Sequence, residues 1–399
     1  MICFRVRIAY VGDFINHGKS LQTPGTSLVI LLSLIEEVNS IDVFCPVENE
    51  KVEKFELPKK VNLYEFYRYD DSISILRLLK IHWDNYDYVI FNILPTGFGK
   101  LTLPNAFALI LPITLRKIFR QNNIRVIYHN SVFTNDIRTL GYNSTFDIIR
   151  TYFLRIVEAT LFKSVTTFVL LDLYRQRIEE SARTNKINVL NWRYLESITT
   201  LYLNKVMYAE FLKAVQTDIP TILMHGSWGP QKNIELALII LKKLKTEGYK
   251  FRLVISGGVN HHFPEYEKKL QELLRSYSNI IDEYLGSVSE KDIKKIFLEA
   301  SLLILPYNTP GGFSGVLEHA IFFELPTIAI DFPEYREQAS GNLNVKLVSI
   351  ADFPYALRDC LRSLKRTLLI NINSKVMLAR ENISRILDCP TYKESEKVD

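Results

Sequence analysis

The feature that most constrains this chain is a rhythm. Short apolar runs, each about the length of a strand, alternate with stretches of helical periodicity along most of its length. In the first half the strand candidates are residues 3–11, 41–45, 61–66, 87–93, 124–129 and 166–171. Helix candidates at 27–38, 72–83, 105–121 and 144–163 lie between several of them. Apolar runs separated by helices point to parallel strands buried on both faces, because each parallel crossover needs a helix and the helices cover the sheet. The second half repeats the rhythm with TILMH (221–225), FRLVIS (251–256), LLILP (302–306) and PTIAI (326–330). NIELALIILKKLKTEG is amphipathic at helical spacing and ends at Gly248, a residue suited to a helix C-terminus. SEKDIKKIFLEAS opens on Ser289 as a candidate N-cap and places Ile293, Ile296, Phe297 and Ala300 on one face.

These patterns predict an α/β protein of two Rossmann-like domains facing across a cleft. Residues 1–204 form the first and 205–375 the second. Residues 376–399 supply a C-terminal helix that packs back on the first domain, followed by a frayed tail. A length of 399 residues suits two such domains. Ligands of such sheets sit at the carboxyl ends of the strands. The chemistry is therefore expected in the loops after residues 11, 93, 129, 225, 256, 286 and 306.

The first of these loops, VGDFINHGKS (residues 11–20), looks like a P-loop and does not meet its spacing. The P-loop has four residues between its first glycine and the Gly-Lys pair; here five, Asp13 to His17, separate Gly12 from Gly18-Lys19. Pro24-Gly25 is expected to interrupt the helix that should follow. A P-loop NTPase stays as an alternative that ATP turnover dependent on Lys19 would revive. Gly12 would instead let backbone approach a ligand.

Composition narrows the class further. At 47% hydrophobic and 23% charged residues the chain is globular. Its longest apolar stretch, AFALILPITL (106–115), is too short to span a bilayer, which takes about 20 residues. The N-terminus runs straight into a strand carrying Arg5 and Arg7, so no signal peptide is expected. The 4 cysteines, Cys3, Cys45, Cys360 and Cys389, have no metal or redox spacing and read as buried thiols of a reducing, cytoplasmic compartment. His261-His262 reads as a surface pair. Residues 1–99 hold 10 Lys and Arg against 13 Asp and Glu, a balance of −3; residues 100–193 hold 14 against 6, a balance of +8. The basic segment points to an anionic surface or ligand, or to a solvated face.

The richest stretch is LILPYNTPGGFSGVLEHAIFFELPTIAID, residues 303–331. A strand ends at Pro306, a loop with Gly311, Gly312 and Gly315 follows, and a helix starts near Ser314. Glycines permit close backbone approach, and a helix N-terminus offers unpaired N–H groups and a partial positive charge, a natural seat for phosphate. Glu318 lies one turn into the helix, where a carboxylate accepts hydrogen bonds from vicinal hydroxyls such as those of a ribose. A glycine loop with a surface glutamate is the structural alternative.

This segment resembles the retaining glycosyltransferases of family 4, which have the GT-B fold. Their signature is Glu-Gly-Phe-Gly, four residues, a second Glu, then Ala and a Pro-Val-Ile-Ala strand. Glu318 matches the second Glu; Ala320 and Pro326-Thr327-Ile328-Ala329 follow as expected. The likeness extends through LMHGSWGPQKNIELAL, FRLVISGG and IIDEYLGSVSEKDIKKIFLEASLLILPY. It covers residues 220–335 well and the N-terminal half in outline.

The resemblance implies transfer of a sugar from a nucleotide-sugar donor to a glycan or lipid-linked acceptor, with retention of configuration. The nucleotide-sugar is a substrate, and no cofactor or metal is implied. The chain also lacks the Asp-x-Asp of the metal-dependent glycosyltransferase fold. By the resemblance the catalytic set is His129, Lys232 and Glu318. Glu318 would hold the ribose and Lys232 the diphosphate. The loop Gly311, Gly312, Phe313, with the backbone of Ser314 and Gly315, would meet the phosphates. Gly226, Ser227, Gly257 and Ser287 would line the donor, and the backbone after Gly286 would meet the base. His129, ending RVIYH, and Gly12 would approach the donor sugar. A histidine at a strand end is also a common structural residue. Two departures stand out: the first Glu of the signature falls on Pro310, and no Arg lies between Gly226 and Lys232. They leave open a nucleotide-sugar epimerase or hydrolase and a non-catalytic glycosyltransferase-like subunit. The basic segment, with Arg116, Lys117, Arg120, Arg125, Arg155 and Lys163, suits a peripheral position on an anionic membrane. Nucleic acid is not expected as a partner.

Overall fold

In a computed structural model the protein is described over residues 5–387, apart from 13, 15–23, 48–55, 69–70, 94–101, 130, 132, 135–144, 185, 215–217, 261–262, 310–311 and 365–368. Lys19, His261-His262, Pro310, Gly311, Cys3, Cys389 and the tail lie outside the described residues. The chain divides into two compact units, one of residues 1–198 with 376–399 and one of residues 199–375.

The first unit is built on seven parallel strands: β1 (Val6–Gly12), β2 (Val38–Pro46), β3 (Val61–Tyr67), β4 (Tyr88–Ile93), β5 (Ile124–Tyr128), β6 (Thr166–Val169) and β7 (Ile187–Val189). Their order is β3-β2-β1-β4-β5-β6-β7. The central strands β4 and β5 are buried almost throughout, which is why they read as unbroken apolar runs. The order reverses beside β1, where Gly12 stands opposite Asn92 of β4. β7 has three residues at the edge and no apolar run to announce it.

Helix boundaries depart from expectation for identifiable reasons. The helix expected at 27–38 spans Pro24–Ser33. Pro24 starts it rather than breaking it, since a first-turn residue needs no N–H partner. The segment expected as one helix at 72–83 is a short helix, Ser72–Leu76, followed by 3₁₀ turns. Asp71 caps it, accepting from the N–H of Ile73 and Ser74 at 3.0 and 3.1 Å. The C-terminal helix Ile372–Ser384 runs into the first unit, where Arg125 Nε donates to Ile386 O at 3.1 Å and Tyr88 Oη to Leu387 O at 2.6 Å.

The second unit carries β8 (Phe211–Lys213), β9 (Thr221–His225), β10 (Arg252–Ser256), β11 (Glu283–Tyr284), β12 (Leu302–Leu305), β13 (Thr327–Ile330), β14 (Val345–Val348) and β15 (Leu369–Asn371). Six of them form a parallel sheet in the order β11-β10-β9-β12-β13-β14, while β8 and β15 pair antiparallel. Ile222, Met224, Leu253, Ile255 and Ile304 of the sheet pack with Ala237, Leu238 and Leu241 of the helix Ile234–Thr246. Gly248 follows that helix at φ +91°, a left-handed conformation that glycine adopts without strain. Ser289 stands at the N-cap of the helix Glu290–Glu299, but its hydroxyl bonds the Asp292 carboxylate at 2.5 Å rather than a backbone N–H. Ile293, Ile296, Phe297 and Ala300 are buried. Cys45 is buried and Cys360 half-buried, so the expectation of fully buried thiols does not hold for Cys360. Among the described residues no helix is long and apolar enough to cross a membrane.

Candidate functional site

In the second unit the strand order reverses beside β9, and the loops that follow β9, β10 and β11 are stitched to one another. Gly226 N donates to Ser256 O at 3.2 Å, Gly257 N to Gly286 O at 2.5 Å, and Trp228 N to Gly258 O at 2.8 Å. A Cβ on Gly257 would fall inside the van der Waals shell of Gly226 O, and one on Gly258 inside that of Ser287 Oγ. The stitching therefore depends on glycine. It gathers Gly226, Gly257, Gly286 and Ser287 at one end of the sheet, with Ser227 exposed between Gly226 and Trp228.

Lys232 ends the 3₁₀ turn Pro230–Lys232 that leads into the helix Ile234–Thr246. Its Nζ lies 3.7 Å from the centroid of the Tyr307 ring, over the negative face of the aromatic system. A Cβ on Gly226 would stand 3.4 Å from Tyr307 Oη, 3.8 Å from Val316 Cγ2 and 4.0 Å from Lys232 Cε, so these three side chains meet above Gly226. Tyr307 is 1% exposed, and its hydroxyl is buried with no hydrogen-bond partner among the described residues. Desolvation pushes the Lys232 ammonium down from 10.5 to about 7, although part of the side chain keeps contact with solvent. No carboxylate among the described residues pairs with it. His225, at the end of β9, is pushed down to about 4, first by burial and then by the charge of Lys232. Its Nδ1 is 2.8 Å from Ser256 Oγ.

The helix Gly315–Phe322 starts immediately after this wall. Ser314 caps it: Oγ accepts from Leu317 N at 3.2 Å, and the carbonyl accepts from Glu318 N at 3.0 Å. The Ser314 N–H is itself taken by Gln338 Oε1 at 3.1 Å. The N–H groups that have no partner among the described residues are thus those of Gly315 and Val316, not that of Ser314. They point an anion-binding end at the region of Lys232 and Gly226. Glu318, one turn in, is 2% exposed. Gly312 has φ +99°, and Phe313 is half-buried between it and Ser314.

The remaining candidates, Gly12 and His129, gather in the first unit at the ends of β1 and β5. Asn92, the only side-chain amide on β4, joins them: its Oδ1 lies 2.7 Å from His129 Nε2, and a Cβ on Gly12 would lie 2.7 Å from its backbone oxygen. His129 packs edge to face on Trp192 at 5.1 Å between centroids. Burial pushes the ring down to about 3, so it is neutral near pH 7. Trp192 Nε1 in turn donates to Glu196 Oε1 at 2.9 Å, and burial pushes that carboxyl up to about 7.

Sequence reasoning missed Asn92, His225, Tyr307 and Gln338. Asn92 carried a signal, being the one strongly polar residue inside the run YVIFNI. His225 and Tyr307 carried a weaker one, as polar residues at strand ends. Gln338 carried none, since its partners lie 24 and 20 residues away.

Comparison with known proteins places this geometry. Residues 211–349 match the family model for glycosyl transferases group 1. No curated protein matches the chain in sequence. Among solved structures, sucrose-phosphate synthase from Thermosynechococcus elongatus is similar with a TM-score of 0.64 at 12% identity, over 96% of this chain and 95% of that one. Anabaena HepE in complex with UDP and glucose gives 0.60 at 12% identity, over 97% and 100%. WaaG, a glycosyltransferase involved in lipopolysaccharide biosynthesis, gives 0.58 at 13% identity, over 96% of each. At these identities the likeness establishes the fold. Residues 211–349 thus match the glycosyl transferases group 1 model on a chain with the two Rossmann-like sheets of GT-B glycosyltransferases, and glycosyltransferase is the enzyme class that these findings support.

Proposed function

We propose that the protein moves a sugar from a nucleotide-sugar donor to a glycan or lipid-linked acceptor, retaining configuration and using neither metal nor cofactor. The observation that carries this reading is the Lys232 ammonium, held over Tyr307 without a carboxylate partner among the described residues. As the donor's glycosidic C–O bond breaks, the departing diphosphate gains negative charge. A pre-placed ammonium and the N–H groups of Gly315 and Val316 stabilise that charge without reorganising. Glu318 takes the ribose hydroxyls, and the stitched loops at Gly257, Gly286 and Ser287 face the base. The roles of His129 and Gly12 toward the donor sugar belong to the same proposal. HepE, which shares the fold, has been solved with UDP-glucose, which supports a nucleotide-sugar as the donor class.

The test is a calorimetric screen of UDP-, GDP- and ADP-sugars with product analysis. Binding with transfer to an added acceptor supports the reading. Donor conversion without acceptor favours an epimerase or hydrolase. Binding without turnover on any acceptor favours a non-catalytic subunit.

The same proposal places the protein in the cytoplasm, against an anionic membrane that presents the acceptor. Arg116, Lys117, Ile118, Phe119 and Arg120 are all exposed, Ile118 at 71%. On the helix Thr145–Ser164, Ile149, Tyr152, Phe153 and Ile156 are exposed at one-turn spacing, Tyr152 at 70%, with Arg155 exposed beside them. Apolar residues bordered by cations suit the boundary of an anionic bilayer. The protein is expected to sediment with phosphatidylglycerol vesicles and not with phosphatidylcholine vesicles. Salt should release it, since screening shortens the reach of charge to about 8 Å at physiological ionic strength. Ile118→Ser with Phe119→Ser should weaken the association. No sedimentation at low salt would leave these residues as a solvated face.

A further inference from the structure

Gln338 ends the helix Pro333–Gln338 that follows β13, and its residue is 6% exposed. Its carboxamide meets the start of the helix Gly315–Phe322 at three points. Oε1 accepts from Ser314 N at 3.1 Å, Nε2 donates to Ser314 O at 2.7 Å, and the same Nε2 lies 3.4 Å from Glu318 Oε1. A planar carboxamide donates and accepts from one head; an ionised carboxylate only accepts, and a hydrocarbon does neither. The contact thus fixes both backbone groups of the N-cap residue, which is itself buried, together with the carboxylate one turn on. It also takes the Ser314 N–H out of contention, leaving Gly315 and Val316 as the neighbouring pair open to an anion.

We propose that Gln338 is a positioning residue of the donor site. By clamping Ser314 and steering the Glu318 carboxylate, it sets how sharply the site distinguishes a ribose from a sugar without hydroxyls. The inference rests on the reading of Glu318 as the ribose contact. It concerns selectivity rather than charge, because Gln338 contacts neither Lys232 nor the open N–H groups. A residue that only supported the fold would weaken every ligand alike.

The experiment measures the affinities of UDP, GDP and ADP, each against its 2′,3′-dideoxy analogue, in wild type, Glu318→Gln, Gln338→Met and Gln338→Glu. Hydrogen bonds to a charged group predict a wild-type preference for the ribonucleotide of roughly tenfold or more. Glu318→Gln should lose most of it. Gln338→Met should reduce it at least threefold while leaving the affinity of the dideoxy analogue within about twofold of wild type; Gln338→Glu, which sets a second carboxylate beside Glu318, should weaken both ligands but the ribonucleotide at least threefold more. Gln338→Glu keeps an acceptor for the Ser314 N–H and loses the donor, so it reports the Glu318 contact if Gln338→Met does not fold. No preference in wild type, or one that survives in Glu318→Gln, overturns the ribose reading and this inference with it. A preference lost in Glu318→Gln but kept in a Gln338 variant overturns only the role of Gln338. So does an equal loss for both ligands, or insolubility of both variants beside a soluble Glu318→Gln.

Discussion

The strand ends of the two sheets hold polar clusters of opposite character. In the first unit His129, Asn92, Trp192 and Glu196 serve one another: the imidazole meets the Asn92 amide and the indole donates to Glu196. Burial keeps the imidazole neutral near pH 7. In the second unit Lys232 sits over an aromatic face with no carboxylate partner among the described residues, beside N–H groups that also have none. A network of side chains that partner one another holds a shape, whereas an uncompensated cation in a desolvated wall is stabilised most by an arriving anion. On the proposed function, the difference gives diphosphate affinity to the second cluster and leaves the first to order its strand ends and hold His129 for the donor sugar.

The largest expected effect tests that division directly. Lys232→Ala should cost nucleoside diphosphate binding about 1.5–3 kcal/mol, or roughly 10- to 150-fold in the dissociation constant. His129→Ala should leave it nearly unchanged. Isothermal titration reads both, and equal losses would collapse the comparison.

A smaller effect sharpens it through pH. In the free protein Lys232 sits at about 7, below its ordinary value of 10.5. A bound diphosphate favours the ammonium and so raises that value. Affinity should therefore be flat below about pH 7 and fall as pH rises from 7 to 9, by at most about tenfold per pH unit. Proton uptake should accompany binding at pH 8, visible as a dependence of the observed heat on the buffer's ionisation enthalpy. In Lys232→Ala the dependence on pH should vanish. If wild type matches that variant across this range, the ammonium is not part of the site.

The smallest effect belongs to the first cluster. His129→Ala leaves the buried Asn92 Oδ1 without its partner and opens space beside Trp192, a cost of about 1–3 kcal/mol of folding stability. Denaturant titration at pH 7 measures it. The ring also links stability to acid. Its folded value of about 3 lies below the ordinary 6.5, so the unfolded chain binds the proton more readily. Stability from this residue is present above about pH 6.5 and is lost as pH falls toward 3. The variant should show a shallower acid loss than wild type. An identical acid profile would mean that His129 is hydrated.

What the sequence made legible follows from the same physics. Buried parallel strands are continuous apolar runs, so β1, β4, β5, β9, β10, β12 and β13 could be read directly. Helix ends were legible in part: Ser289 stands at the expected N-cap although its hydroxyl goes to Asp292, while Pro24 starts a helix rather than interrupting one, because local geometry decides between equivalent uses of one residue type. Lys232 and Glu318 could be singled out by pattern, but the desolvation of the one and the clamp on the other depend on Tyr307 and Gln338. Those neighbours are brought in by the sheet rather than by sequence distance.

The stitched loops also bear on how the specificity of this domain could change over time. Gly257 cannot take a side chain without colliding with the Gly226 carbonyl, so that seam resists substitution in any descendant that keeps the loops joined. Gly286 is different: a Cβ there meets nothing within 4 Å, and its φ of +57° is one that asparagine and aspartate tolerate. One side of the seam is frozen and the other is free to vary. On the proposed reading of this seam as the base contact, a lineage, or a library, seeking a new nucleobase preference would find its accessible mutations at 286 and not at 257.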